Sequence, residues 1–351
     1  MSRRNFGTFE GRPVDEVMIT SEGAEARIIE YGAVLRDLIV PRADGGRQRV
    51  VLGLNSLRDY ELHSPHFGAI AGRYANRIGG GTFRLDGWDY QIPKNQAGKH
   101  ALHGGGQGFG KRPWTILAHD ASSVTLGLVS SDGDAGFPGT LTAACRYVLK
   151  GPTLRVELTA FTDKPTICNL TNHSYFKLDD GLDVLDHDLQ IRANLYTPID
   201  EDLIPDGTLA PVSGTPFDFR RPRPILMMRD DGERAWYDHN WVLRRDPLEA
   251  DESGLDLALA ARLSSQRSKM QMEVWTTEPC LQFYDAERLN LPVPGLDGAM
   301  YGAHAGLCLE TQHAPDSPNL PHMPSTVLRP GELYRHVTEF RFGPIGGDDA
   351  A

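Results

Sequence analysis

Long apolar runs are missing from this chain of 351 residues. No stretch approaches the ~20 consecutive apolar residues of a membrane-spanning helix, so no membrane partner is expected. The opening Met1-Ser2-Arg3-Arg4-Asn5-Phe6 lacks the apolar core of a signal peptide. Cysteine is scarce: Cys145, Cys168, Cys280 and Cys308 lie in apolar or strand-like runs, and no two have CxxC spacing. That pattern excludes a compact redox or thiolate-metal motif and reads as buried free thiols in a reduced, cytoplasmic setting. Positive charge is in deficit, with 36 Lys and Arg against 47 Asp and Glu and a net charge of −11. A basic face for nucleic acid is therefore not expected. Helical periodicity is almost absent, and only residues 56–62 read as a short helix or turn. Neither a GxSxG elbow, an HExxH pair nor a phosphate loop occurs.

What the chain does have is period-two alternation. Thr153-Leu154-Arg155-Val156-Glu157-Leu158-Thr159 places three apolar side chains on one face. Residues 255–259, 270–274 and 333–342 repeat the pattern, as half-buried antiparallel strands do. The 37 Gly and 24 Pro punctuate many short strands, with Asp86-Gly87 read as a hairpin turn and Asp132-Gly133-Asp134 as a loop. No composition shift marks a linker and no internal repeat occurs. The expectation is an all-β chain, a large antiparallel β-sandwich of two sheets packed face to face. A single domain spans residues 1–344, and residues 345–351 form a frayed tail.

Polar residues carry information where they interrupt the alternation. Asn169-Leu170-Thr171-Asn172-His173-Ser174-Tyr175-Phe176 reads as a strand crowded with hydrogen-bonding groups, which are costly to bury unless partnered. The partner is either a polyhydroxy ligand or a structural polar cluster closing a turn. In Gly306-Leu307-Cys308-Leu309-Glu310-Thr311-Gln312-His313, Glu310 follows an apolar strand. A carboxylate at a strand end is either a base raised by desolvation or an ordinary surface residue. Gly72-Arg73-Tyr74-Ala75-Asn76-Arg77-Ile78 sets two arginines and an asparagine beside glycines, fit for hydroxyls or an anion, or for a basic turn. His103 precedes Gly104-Gly105-Gly106, which let a ligand approach the backbone closely. Asp238 and Gln282 add donors and acceptors. His103, His173 and Glu310 would make a two-histidine, one-carboxylate metal set, but none lies in a ligand-spacing motif, so no metal is expected.

Taken together these segments resemble the aldose 1-epimerase (galactose mutarotase) family along essentially the whole chain. The resemblance rests on Tyr31-Gly32-Ala33-Val34-Leu35, Val50-Val51-Leu52-Gly53-Leu54, Gly72 to Ile78, Leu102-His103-Gly104-Gly105 and Asn169 to Phe176. It continues through Tyr196-Thr197-Pro198-Ile199-Asp200, Gly214-Thr215-Pro216-Phe217-Asp218-Phe219-Arg220, Tyr237-Asp238-His239-Asn240 and Leu309-Glu310-Thr311-Gln312-His313-Ala314-Pro315-Asp316-Ser317-Pro318-Asn319, in family order. The resemblance implies a galactose mutarotase-like supersandwich, with Glu310 as general base and His173 as general acid. It implies that Asn76, Arg77, His103, Asp238 and Gln282 contact sugar hydroxyls, and that His103 is an alternative source of the acid. Two positions depart from the family: Lys177 stands where Asn is usual, and Gly106 where a side chain is common.

The implied reaction interconverts the α and β anomers of a free aldose by ring opening, rotation and reclosure. Ionised Glu310 would take the anomeric proton and protonated His173 would supply the ring oxygen, with no cofactor. The partner is a free monosaccharide, and the assembly a monomer or homodimer. Three rivals differ in their demands. A hexose-6-phosphate mutarotase needs a cationic site, for which Arg73 and Arg77 are the candidates. A sugar-binding module needs no acid–base pair. A glycosidase needs two carboxylates, of which Glu310 and Asp238 are the nearest to a case.

Overall fold

The computed structural model describes residues 2–246, 248–251 and 254–346. Alternation builds the sheets as expected. Leu141–Lys150 and Thr153–Thr162 pair antiparallel along their length, with every second side chain of Leu141–Lys150 buried and Leu154, Val156 and Leu158 facing the same core. Slipping the register by one residue would turn those side chains outward, at about 1.5–3 kcal/mol for each one exposed.

Both strands belong to a ten-stranded antiparallel sheet. In spatial order it runs Thr115–His119, Ser123–Ser130, Leu141–Lys150, Thr153–Thr162, Tyr334–Pro344, Met270–Thr276, Asp256–Ser265, Asp188–Ile191 and Arg223–Pro224, with Leu248–Ala250 also on Asp256–Ser265. A six-stranded sheet follows the order Tyr175–Phe176, Leu307–Gln312, Cys280–Tyr284, Asp238–Leu243, Ala193–Thr197 and Ala210–Pro211. The first five strands, from Ser2–Phe9 to Arg47–Arg49, form a third sheet. One apolar core joins all three: Ile28 and Leu38 from the N-terminal sheet, Tyr147 and Val156 from the large sheet, Trp241 and Phe283 from the six-stranded sheet.

The expected two large sheets are therefore one large sheet opposed by a composite layer. Residues 50–52 splice that layer. Val50 N–H donates to Leu38 O at 2.9 Å, Leu52 N–H to Tyr175 O at 2.9 Å, and Lys177 N–H to Val50 O at 3.1 Å. Short polymer segments thus do what a longer strand would do, satisfying buried backbone groups across the seam.

Local signals were read well where they are short-range. The strands Thr82–Leu85 and Trp88–Gln91 turn at Asp86 (φ 50°) and Gly87 (φ 86°), the two positive φ values of a type I′ hairpin. Leu57–His63 is a helix, with the Ser56 hydroxyl accepting from Asp59 N–H at its start. All four cysteines are buried and free. Longer-range expectations need correction. Residues 169–176 are not one strand but two dipeptide strands, Thr171–Asn172 and Tyr175–Phe176, paired to different partners. Residues 255–259 do not keep a wet face, since Leu257 to Ala261 are all buried and Leu257, Leu259, Trp275 and Val337 form a second cluster. Of the expected tail, Ile345 N–H bonds Lys269 O at 3.1 Å, and residues 347–351 lie outside the described residues.

Arg73 shows how the fold fixes the segment leading to Asn76 and Arg77. It is 1% exposed. Its guanidinium donates to the carbonyls of Pro138 and Gly139 at 2.9 Å and to Ser130 Oγ at 2.7 Å. Arg73 therefore ties loops together and is spent as an anion ligand. Replacing it by Met would strand several buried acceptors. Arg73→Met is expected to lower stability by about 3 kcal/mol, read as a shifted urea midpoint at unchanged slope; a loss below ~1 kcal/mol would show the network to be dispensable.

Candidate active site

The six-stranded sheet presents Asp238, Gln282 and Glu310 on one face. Gln282 stands directly opposite Glu310 on the neighbouring strand, and Asn240 stands opposite Gln282 on the next. Glu310 is not at a strand end, as the sequence reading held. It sits within Leu307–Gln312, all six residues of which are buried, and is itself 2% exposed.

His173 lies in the break between the two dipeptide strands. Its N–H donates to Ala69 O and its carbonyl accepts from Gly68 N–H, both at 2.9 Å. The polar residues around it are structural. Asn169 Oδ1 accepts from His313 N–H at 3.1 Å, Thr171 Oγ1 donates to Thr311 O at 2.8 Å, and Asn172 Nδ2 donates to Gly68 O at 3.1 Å. The structural alternative holds for these three side chains: Thr171 and Asn169 tie the segment to Thr311 and His313, and Asn172 ties it to Gly68, while the His173 ring faces the cleft.

The result is a cleft of about 180 Å³ lined by Asn76, Arg77, His103, His173, Asp238 and Glu310 among others. His173 Nε2 lies 3.7 Å from Glu310 Oε1, too long for a hydrogen bond. Glu310 Oε2 is buried with no partner among the described residues. Arg77 donates to Asp238 Oδ2 and to Asn76 Oδ1, both at 3.2 Å, and through Nε to Gln96 Oε1 at 2.9 Å. Gln282 Nε2 donates to Asp238 Oδ1 at 2.7 Å, so Gln282 acts on the cleft through Asp238. An imidazole, a carboxyl group and a fan of hydrogen-bonding side chains converge on this one cleft.

The comparisons with known proteins agree with that geometry. The family model described as aldose 1-epimerase matches residues 15–341. The chain belongs to the aldose 1-epimerase family. It is a carbohydrate isomerase of that family. Galactose mutarotase of Mus musculus is 40% identical over 97% of this chain and 98% of its own. Aldose 1-epimerase of Escherichia coli K12 is 39% identical over 91% and 92%. Among solved structures, the aldose epimerase homologue from C. elegans superposes with TM-score 0.86 at 29% identity, covering 94% of this chain and 98% of that one. Galactose 1-epimerase from Lactobacillus acidophilus gives 0.80 at 28%, covering 97% and 98%.

Two motifs of the family resemblance prove architectural. Tyr196 stacks on Phe217 at 4.4 Å between centroids, and Trp241 Nε1 donates to Phe217 O at 3.1 Å. A wider surface hollow of about 1070 Å³ runs beside residues 214–231, but its charged groups pair with one another, as Arg220 with Asp218 and Arg229 with Asp231. Lys177 turns away from the cleft and donates to Gly181 O at 2.7 Å. Gly106 borders an adjoining hollow, where a side chain would meet nothing within 4 Å.

Burial sets the protonation of the cleft. It drives the Glu310 carboxyl well above its usual range, with Asp238 adding to the effect and Arg77 opposing it. It pushes His173 down to about 4, against a backbone hydrogen bond and Asp238. Both groups therefore favour their neutral forms, and the expected resting carboxylate–imidazolium is replaced by a neutral pair holding one proton.

His103 is constrained differently. Its Nδ1 accepts from Asn76 N–H at 3.1 Å, so the neutral ring carries its proton on Nε2. Imidazolium would oppose two N–H groups, and burial and the His66 and His173 rings also hold its pKa well below the ordinary value. In this tautomer His103 is a donor to a ligand oxygen, and Nε2 has no lone pair for a cation although its atoms approach those of His173 and Glu310 within 4.8 Å.

Sequence reasoning missed His66, Tyr284 and Arg288 on the cleft wall. His66 follows Pro65 in a loop, with no spacing or alternation to mark it; Tyr284 lies two residues after Gln282 and so shares its face of the strand Cys280–Tyr284.

The glycines after His103 differ in what they must be. A Cβ on Gly104 (φ 89°) would meet Gly72 O at 2.1 Å, whereas one on Gly106 (φ 46°) would meet nothing. Gly104→Ala is thus expected to displace His103 and cut the rate by roughly a hundredfold, and Gly106→Ala to cost far less. Parallel polarimetric assays and thermal melts check this; equal rates for the two variants would contradict it.

Proposed function

We propose that mutarotation of a free aldose in this protein runs through Glu310 as general base and His173 as general acid. The observation that carries the reading is their approach to 3.7 Å inside a buried cleft rimmed by groups suited to hydroxyls. When the anomeric hydroxyl donates to Glu310, its carboxylate form gains a hydrogen bond and the shared proton moves to His173. Glu310 then takes the O1 proton as the C1–O5 electron pair withdraws onto O5, which receives the proton of His173. C1=O1 is an aldehyde at this point. Rotation about C1–C2 exposes its other face. Reclosure returns the O5 proton to His173 and the Glu310 proton to O1. Electrons end where they began, so the cycle requires no cofactor. Asn76, Arg77, His103 and Asp238 hold sugar hydroxyls, with Gln282 orienting Asp238; His103, locked as a neutral donor, serves binding and does not share the acid role.

The rival phosphate reading is disfavoured because Arg73 is closed within its own network and Arg77 already faces Asp238. A non-catalytic module would have no use for a base and an acid held side by side in a buried cleft. The same reading takes residues 1–344 as one domain, acting in the cytoplasm on a monosaccharide as a monomer or homodimer. No described helix is long and apolar enough to cross a membrane.

Glu310→Gln and His173→Gln are each expected to lower anomer equilibration by about 10²–10⁴-fold while keeping the melting transition. Polarimetry on fresh α-D-galactose or α-D-glucose reads this; near wild-type rates in both would sink the assignment.

The pH profile follows from the shared proton. Acidification adds a second proton at His173, whose value of about 4 replaces the ordinary 6.5. Alkalinisation removes the last proton only above the raised Glu310 value. Plotted against pH, kcat/KM is expected to hold a plateau through neutrality with its acid limb near 4. An acid limb at the ordinary histidine value would mean that His173 titrates as an open imidazole, contrary to the neutral pair.

A further inference from the structure

One cleft residue has no task in the mechanism above. His66 is half-buried, adopts φ 71°, and makes no hydrogen bond through its ring to any described residue. Its ring centroid lies 4.5 Å from that of His103 and 5.7 Å from that of His173, nearly parallel to the latter at 27°. Three imidazoles therefore make one continuous wall beside the reacting pair. The inner edge of the His66 ring rests on Gly110: Nδ1 is buried and unpartnered, and a Cβ on Gly110 would come within 3.7 Å of it. That leaves Nε2 as the nitrogen on the cleft side.

We propose that His66 is a substrate-positioning residue whose Nε2 meets a sugar hydroxyl adjoining the C1–O5 unit. The inference rests on the mutarotase reading of the cleft. Its reach is set by geometry, because a ring stacked on His173 borders the atoms that His173 protonates. The groups flanking C1 and O5 on an aldohexose are the C2 hydroxyl and the hydroxymethyl on C5. A hydroxyl both donates and accepts, so it suits either neutral tautomer of the ring. Burial, the neighbouring His173 and Lys111 all oppose a charged His66, consistent with a neutral partner that binds and moves no proton. The left-handed backbone at this position narrows what else the chain could place there.

The experiment pairs enzyme variants with deoxy substrates. Wild type, His66→Phe and His66→Asn are assayed by polarimetry on D-galactose, 2-deoxy-D-galactose and 6-deoxy-D-galactose. Phe keeps the ring contact and removes both nitrogens; Asn keeps a hydrogen-bonding group and tolerates positive φ. On galactose, His66→Phe is expected to lose about 3–10-fold in kcat/KM, chiefly through KM. That loss should shrink towards unity on whichever analogue lacks the contacted hydroxyl, and His66→Asn should recover part of it. Equal losses on all three sugars would make His66 a wall without a polar contact and overturn the inference. Should His66→Phe fail to fold, His66→Ala takes its place in the same comparison. A wild type without rate enhancement on any of the sugars would instead overturn the mutarotase reading beneath it.

Discussion

A carboxyl group in the middle of a fully buried strand is the constraint on which this site depends. The strand that carries Glu310 is paired to Tyr175–Phe176 on one side and to Cys280–Tyr284 on the other, so its position is fixed by backbone ladders and not by a loop. Oε2 is buried, and no described residue donates to it. The cost of burying an ionised carboxylate is avoided by keeping a proton. The same desolvation unloads His173, and the two groups become a single donor–acceptor unit. Everything else in the cleft is arranged around that unit. Asn169 and Thr171 tie the segment before His173 to His313 and Thr311, Asn172 ties it to Gly68, and Gln282 and Arg77 fix Asp238 beside it.

Much of the fold was legible because burial on one face of a strand imprints a period of two, as in residues 153–159. The composite second layer was not. Its seam at residues 50–52 is made by main-chain bonds to Leu38 and Tyr175, partners far apart in the chain, and backbone bonding leaves no trace in side-chain order. Glu310 was read as a strand end because a strand covered on both faces has no polar alternation from which to locate its limits. The segment from Gly72 to Ile78 shows a further limit. Arg73 and Arg77 are four positions apart in one motif, yet one is sealed in a structural network and the other faces the cleft. A left-handed turn at Asn76 (φ 60°) lies between them, and nothing in the residue types announced its direction.

The proposed acid–base residues were singled out through motif resemblance, and the structure explains why single residues argued so weakly. His173 and Glu310 are 137 positions apart in sequence (310 minus 173), and their approach depends on Thr171–Asn172 and Tyr175–Phe176 both pairing in register. His103 illustrates the complementary point. Its identity was legible, but its role turns on one main-chain N–H, that of Asn76, which decides the tautomer. Chemistry at that ring is dictated by a partner that carries no side-chain signature.

The one-proton pair also determines how the cleft meets its surroundings. Glu310 with His173 carries no net charge, and Arg77 with Asp238 cancels as well. Arg288 adds a positive charge to the same wall, so the net charge of −11 resides outside the cleft. A neutral sugar carries no charge of its own for such a wall to attract, so there is little for mobile ions to screen. The protein can hold a strongly anionic exterior for solubility while its recognition of substrate stays indifferent to the ionic strength around it.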